Sequence, residues 1–110
     1  MAFDIENKKI LWHFQEIPHD IWNMDLAAAP ILTMINKNGS IFDVVVVVSK
    51  LGNTFILDRE TGESIYDIEL IRAPISEVPG ERTAIYQKNI KIPEPVCRNR
   101  FKEEYLTNLD

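Results

Sequence analysis

Short apolar runs separated by tight-turn residues dominate the first 70 residues of this 110-residue chain. Ile10–Gln15, Ile31–Ile35, Phe42–Ser49, Thr54–Asp58 and Ser64–Leu70 are each rich in β-branched or aromatic residues. Asn38-Gly39, Leu51-Gly52-Asn53 and Arg59-Glu60-Thr61-Gly62 stand between them, and Gly and Asn accept the positive φ that hairpin turns require. Runs joined in this way fold back on one another, so the expected class is all-β, an antiparallel meander.

The run Val44–Val48 does not alternate polar with apolar residues, which predicts a strand covered on both faces. Beyond Ile71 the composition shifts. Pro74, Pro79, Pro93 and Pro95 are four of the six prolines in the chain, and sustained ladders are not expected among them. This part reads as a long excursion ending in a short helical pattern near Asn99–Leu109. A loop of that length argues against a self-contained fold and for a larger scaffold against which it lies. Residues 1–70 are thus read as the main β region, and residues 71–110 as a loop-rich extension of the same domain.

A net charge of −5 with scattered basic residues disfavours nucleic-acid binding. The apolar stretches Leu26–Ile35 and Val44–Val48 fall well short of the roughly 20 residues that span a bilayer. The start MAFDIENKKI carries no apolar signal core. Cys97 is the only cysteine, which excludes an internal disulfide and a thiolate metal cluster. Its setting in EPVCRNR suits an inert thiol, with Arg98 and Arg100 as the groups that would lower its pKa.

A degenerate internal repeat adds architecture. Ala2-Phe3-Asp4 and Leu11-Trp12-His13-Phe14-Gln15 align with Ile56-Leu57-Asp58 and Ile65-Tyr66-Asp67-Ile68-Glu69 at an offset of 54 residues. The first unit has Lys8 where glycine is expected, and the second has Gly62 but Tyr66 in place of Trp. A period near 50 with about four strands per unit is what β-propeller blades show. The alternative is two hairpins with similar turns aligned by chance.

Four motifs in order then carry a family resemblance: WHFQ at 12–15 with HDIW at 19–22, DLAAAP at 25–30, SKLGNTFILDRETG at 49–62, and SEVPGE at 76–81. The chain resembles the pyrroloquinoline quinone (PQQ)-dependent alcohol and glucose dehydrogenases over essentially its whole length. The resemblance implies a slice of one to two blades of an eight-bladed propeller. It also implies an enzyme that oxidises an alcohol or sugar hydroxyl by hydride transfer to PQQ, beside Ca²⁺ or a lanthanide. The remaining blades of a longer parent chain and a periplasmic location follow from the same resemblance.

Carried over residue by residue, Lys50 matches the basic residue that hydrogen-bonds the quinone oxygen. The alternative is a solvated turn lysine. The family's catalytic aspartate falls at Asn23, 27 residues before Lys50. An amide cannot act as a general base, although its carbonyl oxygen ligates hard cations. Asp25, two residues on, is then a candidate metal ligand or rescuing base, against an ordinary turn carboxylate. Trp22 is expected to wall the cofactor cavity and Trp12 to dock one blade on the next. His19 and Asp20 suggest an acid/base pair, but adjacent strand residues point to opposite sides, so His19 is expected instead to fix its loop by hydrogen bonding. His13 is expected at an interior or edge position.

Two other readings stand beside this one. The chain could be a truncated or diverged, non-catalytic β-module for binding or assembly. A quinone-free propeller scaffold fits less well, because such scaffolds lack HDIW and SKLGNTF together. A slice of this size alone is expected to be catalytically silent. Substrate identity and electron acceptor lie outside these residues.

Overall fold

The computed structural model describes residues 1–21 and 24–94. Every regular element among them is a strand: β1 (Ala2–Asp4), β2 (Lys9–Trp12), β3 (Ile31–Lys37), β4 (Ser40–Val48), β5 (Thr54–Asp58), β6 (Ile68–Arg72) and β7 (Tyr86–Ile90). They form three antiparallel sheets, ordered β1-β2, β3-β4-β5 and β6-β7. The helical pattern expected near Asn99–Leu109 and the thiol of Cys97 lie outside the described residues.

The meander is set by its turns. Lys37 pairs with Ser40 across a two-residue loop in which Asn38 has φ 53° and Gly39 φ 82°. Positive φ at both central positions is the type I′ turn, whose twist matches the flanking strands. The Asn36 side chain accepts the Gly39 amide at 3.1 Å and closes the turn further. At the next corner the Ser49 amide donates to the Asn53 carbonyl at 2.9 Å and the Gly52 amide to the Ser49 carbonyl at 3.0 Å.

The valine run is covered on both faces where the strand crosses the middle of its sheet. Val44 and Val45 point to opposite sides and are 0% and 6% exposed. Val45 joins Phe55, Leu57 and Ile90 in the core, with Trp12, Phe14, Val47, Tyr66 and Ile68 packed against it. Phe14 and Phe55 meet with ring centroids 4.9 Å apart. The core therefore gathers residues from all three sheets. By contrast Ile31, Leu32 and Met34 on the edge strand β3 are 62%, 64% and 67% exposed. An edge strand apolar on both faces is built to be covered by a further layer.

The repeat is a structural one. In the first hairpin the Asp4 carboxylate accepts the amides of Glu6 (3.0 Å) and Asn7 (3.1 Å). In the second, 54 residues on, the Asp58 carboxylate accepts those of Glu60 (2.8 Å) and Thr61 (3.0 Å). The Asn7 side-chain amide, donating to Asp4 at 2.7 Å, is the main cause that holds the Asp4 carboxyl below its ordinary value, and the backbone bonds from Thr61 and Glu60 do the same for Asp58. Lys8 and Gly62 occupy the same place in the two turns, with φ 55° and 75°. The lysine thus adopts the left-handed conformation that glycine adopts in the other copy. Trp12 from the first unit lies on the second turn, its indole N–H donating to the Arg59 carbonyl at 2.9 Å. A Cβ on Gly62 would sit 2.5 Å from the Trp12 ring. Trp12 docks one unit on the next, as expected.

Two expectations need correction. Ser64–Leu70 is not one strand beside β5, because their pairing stops at a bridge between Leu57 and Ser64 and regular structure resumes only at Ile68. The chain then leaves to build β6. Nor is the proline-rich part without ladders, since Ile68–Arg72 pairs residue for residue with Tyr86–Ile90. Pro74 and Pro79 fall in the connection between those strands and Pro93 beyond them, so no proline interrupts the ladder. In that connection the Val78 amide donates to the Ser76 hydroxyl and the Glu81 amide to the Val78 carbonyl.

Candidate functional site

The corner between β4 and β5 is a five-residue loop, Ser49–Asn53, with Lys50 near its tip. Ser49, at the first position of the loop, is buried at 6% exposure, and Lys50 beside it is exposed. An irregular arm, described at 13–21 and 24–30, carries Asp25. Its start is fixed by the Gln15 amide group, which donates to the carbonyls of Ile17 (3.1 Å) and Pro18 (2.9 Å). The Asp20 carboxylate accepts the Met24 amide at 2.7 Å.

Loop and arm meet in an ion pair. The Lys50 ammonium lies 2.5 Å from an Asp25 carboxylate oxygen, with both side chains substantially exposed. The hydrogen bond from Lys50 holds the Asp25 carboxyl below its ordinary value. Trp22 and Asn23 lie outside the described residues. His13 and His19 are both exposed, so His13 is not an interior residue. A larger concavity lies elsewhere, between Lys37, Tyr66 and Lys91. A smaller cleft lined by Glu16, Asp20, Met24 and Asp25 adjoins the ion pair and is the one relevant to it.

Beneath the loop sits a residue that the sequence reading missed. Glu16 is 6% exposed, and its Oε1 accepts from the Ser49 hydroxyl at 3.0 Å and the Asn53 amide group at 2.8 Å. Glu16 Oε2 and Asn53 Oδ1 are buried without hydrogen-bond partners among the described residues. A signal for Glu16 was present in the strand period: Trp12, Phe14 and Glu16 share one parity and turn inward, whereas Leu11, His13 and Gln15 are exposed.

Burial raises the Glu16 carboxyl above its ordinary 4.5, against the lowering effect of its two hydrogen bonds. A carboxyl whose folded value is raised favours folding most below the unfolded pKa, and that contribution is lost as pH rises through the folded value. Asp4, Asp25 and Asp58, held low, act in the opposite sense: their contributions are present above the unfolded pKa of 3.8 and lost as pH falls through the folded values. Glu16→Gln is therefore expected to flatten the decline in stability above about pH 4.5 while leaving the acid limb unchanged. Urea midpoints measured across the pH range check this, and an unaltered upper limb would contradict it.

Among the described residues no group of three or more His, Cys, Asp or Glu side chains could hold a metal ion. Nor is any helix among them long and apolar enough to cross a membrane.

Comparison with known proteins identifies the family. The family model described as "Glucose/ethanol/alcohol dehydrogenase, beta-propeller domain", of the PQQ type, matches residues 1–110. The chain is 38% identical to the quinoprotein glucose dehydrogenase of Escherichia coli K12 over 79 residues, 72% of this chain and 9% of that protein. It is 36% identical to quinoprotein glucose dehydrogenase A of Acinetobacter calcoaceticus over 84 residues, 76% of this chain and 10% of that protein. The glycerol dehydrogenase large subunit of Gluconobacter thailandicus is 32% identical over 83 residues, 74% of this chain and 11% of that protein. The chain thus spans about a tenth of the length of these relatives. No solved structure matches it significantly. With seven antiparallel strands among its described residues, a tryptophan that docks one repeat unit on the next and this match over its full length, the chain belongs to the PQQ-dependent dehydrogenase β-propeller family and fits one or two blades of that fold.

Proposed function

We propose that this chain forms part of the active site of a periplasmic quinoprotein that oxidises an alcohol or sugar hydroxyl, with Lys50 as the contact to PQQ. The observation that carries the reading is the Lys50 loop itself. A family-matched lysine projects from a turn closed by backbone hydrogen bonds, and a carboxylate from a separate segment holds its ammonium. PQQ is anionic and presents quinone oxygens, so an oriented ammonium fits it chemically.

When bound, the quinone supplies the hydride acceptor, and the remaining work falls to the protein. The Lys50 ammonium would hold the group by donating to a quinone oxygen, and a fixed cation there would be worth more in the transition state than in the ground state. Asp25 orients that ammonium. The low pKa that the ion pair imposes on Asp25 suits this role better than proton abstraction, because a weaker base takes a proton less readily. Trp22 would wall the cofactor cavity. The Asn23 carbonyl oxygen and Asp25 are the groups that would contribute to a Ca²⁺ or lanthanide site, together with donors from beyond the described residues. The exposed apolar face of β3 supports the further reading that blades of a longer parent chain cover it.

Titrating PQQ into the intact protein, followed by fluorescence or absorbance, tests the assignment. Lys50→Ala is expected to weaken binding about tenfold, the worth of one charge-assisted hydrogen bond. Equal affinity of wild type and variant would remove Lys50 from the cofactor site. Absence of any binding by the intact protein would favour the non-catalytic β-module.

A further inference from the structure

Glu16 takes no part in the cofactor contacts just described, yet burying a carboxylate is costly unless its oxygens are well satisfied. The two donors that satisfy Oε1, Ser49 Oγ and Asn53 Nδ2, are the first and last residues of the loop whose second residue is Lys50. A single oxygen thus clamps both feet of that loop.

Glu16 is itself held from the other side. Its backbone carbonyl accepts the Lys88 amide of β7 at 2.9 Å, and the neighbouring Gln15 carbonyl accepts the Lys88 ammonium at 2.5 Å. The clamp is therefore anchored to the β6-β7 ladder. Backbone bonds within Ser49–Asn53 close the loop on itself but leave its tilt against the arm free, and the bonds to Glu16 remove that freedom. The arm that begins beside Glu16 then returns to the loop tip as Asp25, so loop and arm are joined at base and tip.

We propose that Glu16 is a positioning residue for Lys50: its buried carboxylate locks the base of the β4–β5 loop and so sets where the ammonium is presented. The inference rests on the reading of Lys50 as the quinone contact, but the lock itself is read out without the cofactor. Truncation at Glu16 leaves a buried hydroxyl and a buried amide group without their acceptor. The Glu16→Gln change would keep an oxygen in the same place.

The test compares Glu16→Ala, Glu16→Gln and Lys50→Ala in the intact protein by amide hydrogen exchange and by PQQ titration. Glu16→Ala is expected to speed exchange at the Ser49 and Gly52 amides about tenfold, while amides in the β4–β5 ladder keep their protection. PQQ affinity should fall about tenfold, and adding Lys50→Ala should cost little more, since both changes act through one ammonium. Glu16→Gln should stay within about threefold of wild type in both measurements. Unchanged exchange at Ser49 and Gly52 in Glu16→Ala would overturn the proposal. So would an equal increase throughout β4 and β5, which marks a residue of general stability, or fully additive losses with Lys50→Ala. If Lys50→Ala alone leaves PQQ affinity intact, the cofactor reading fails, and the exchange data still decide the lock.

Discussion

Replacing Gly62 by alanine is expected to destabilise the fold by about 3 kcal/mol, roughly a 150-fold change in the folding equilibrium. Two costs add. At φ 75° an L-residue sits in the left-handed region, which costs about 1–2 kcal/mol. The new Cβ would also fall 2.5 Å from the Trp12 ring, and relieving that overlap by moving the indole costs about 1–3 kcal/mol. The indole also donates to the Arg59 carbonyl, so its displacement gives up a hydrogen bond. Urea unfolding of the intact protein measures the total. A double-mutant cycle separates the parts: in a Trp12→Ala background only the backbone cost should remain, about 1–2 kcal/mol. Lys8→Gly at the equivalent place in the first turn should shift the midpoint the other way, by less than about 1 kcal/mol, because it relieves a left-handed lysine. A Gly62→Ala variant as stable as wild type would mean that Trp12 does not rest on that turn.

Restoring a carboxylate at position 23 is expected to have the largest effect on turnover. By the family resemblance Asn23 stands where the general base would be, and an amide takes no proton near neutral pH, so Asn23→Asp in the full-length protein should raise kcat with PQQ bound about hundredfold. The proton's destination identifies the mechanism. A new rising limb in the pH profile, reporting ionisation of the introduced carboxyl, should accompany the gain. If PQQ binds and turnover does not rise, position 23 is not where the substrate proton is taken. The ion pair between Asp25 and Lys50 makes the outcome informative, because Asp25 is already held as a carboxylate by its partner. It is thereby a weaker base than an aspartate at position 23 would be.

Much of the architecture was legible because it is local. The type I′ turn at Asn38-Gly39 and the strand Thr54–Asp58 follow from residues within a few positions of one another. The repeat was legible for the same reason: Asp4 and Asp58 each bond amides two and three residues ahead, and such contacts are written into a short motif. Lys50 entered as a candidate through a motif and Asp25 through its distance from Asn23, whereas their ion pair is a finding of the structure alone. Proline count misled beyond Ile71 because what matters is whether a proline falls inside a ladder, and here the prolines fall between and after the strands.

Taken alone, the sequence determined the strand-and-turn grammar, the docking of Trp12 and the family, since backbone preference and motif spacing act over short distances. Tertiary structure decided the rest: that β6 leaves β5 to pair with β7, that Asp25 closes on Lys50, and that Glu16 is buried beneath both feet of the lysine loop. Such contacts join residues far apart in the chain, 73 positions in the bond from Lys88 to the Gln15 carbonyl. Their partners are chosen by packing around a shared core, which no local preference specifies.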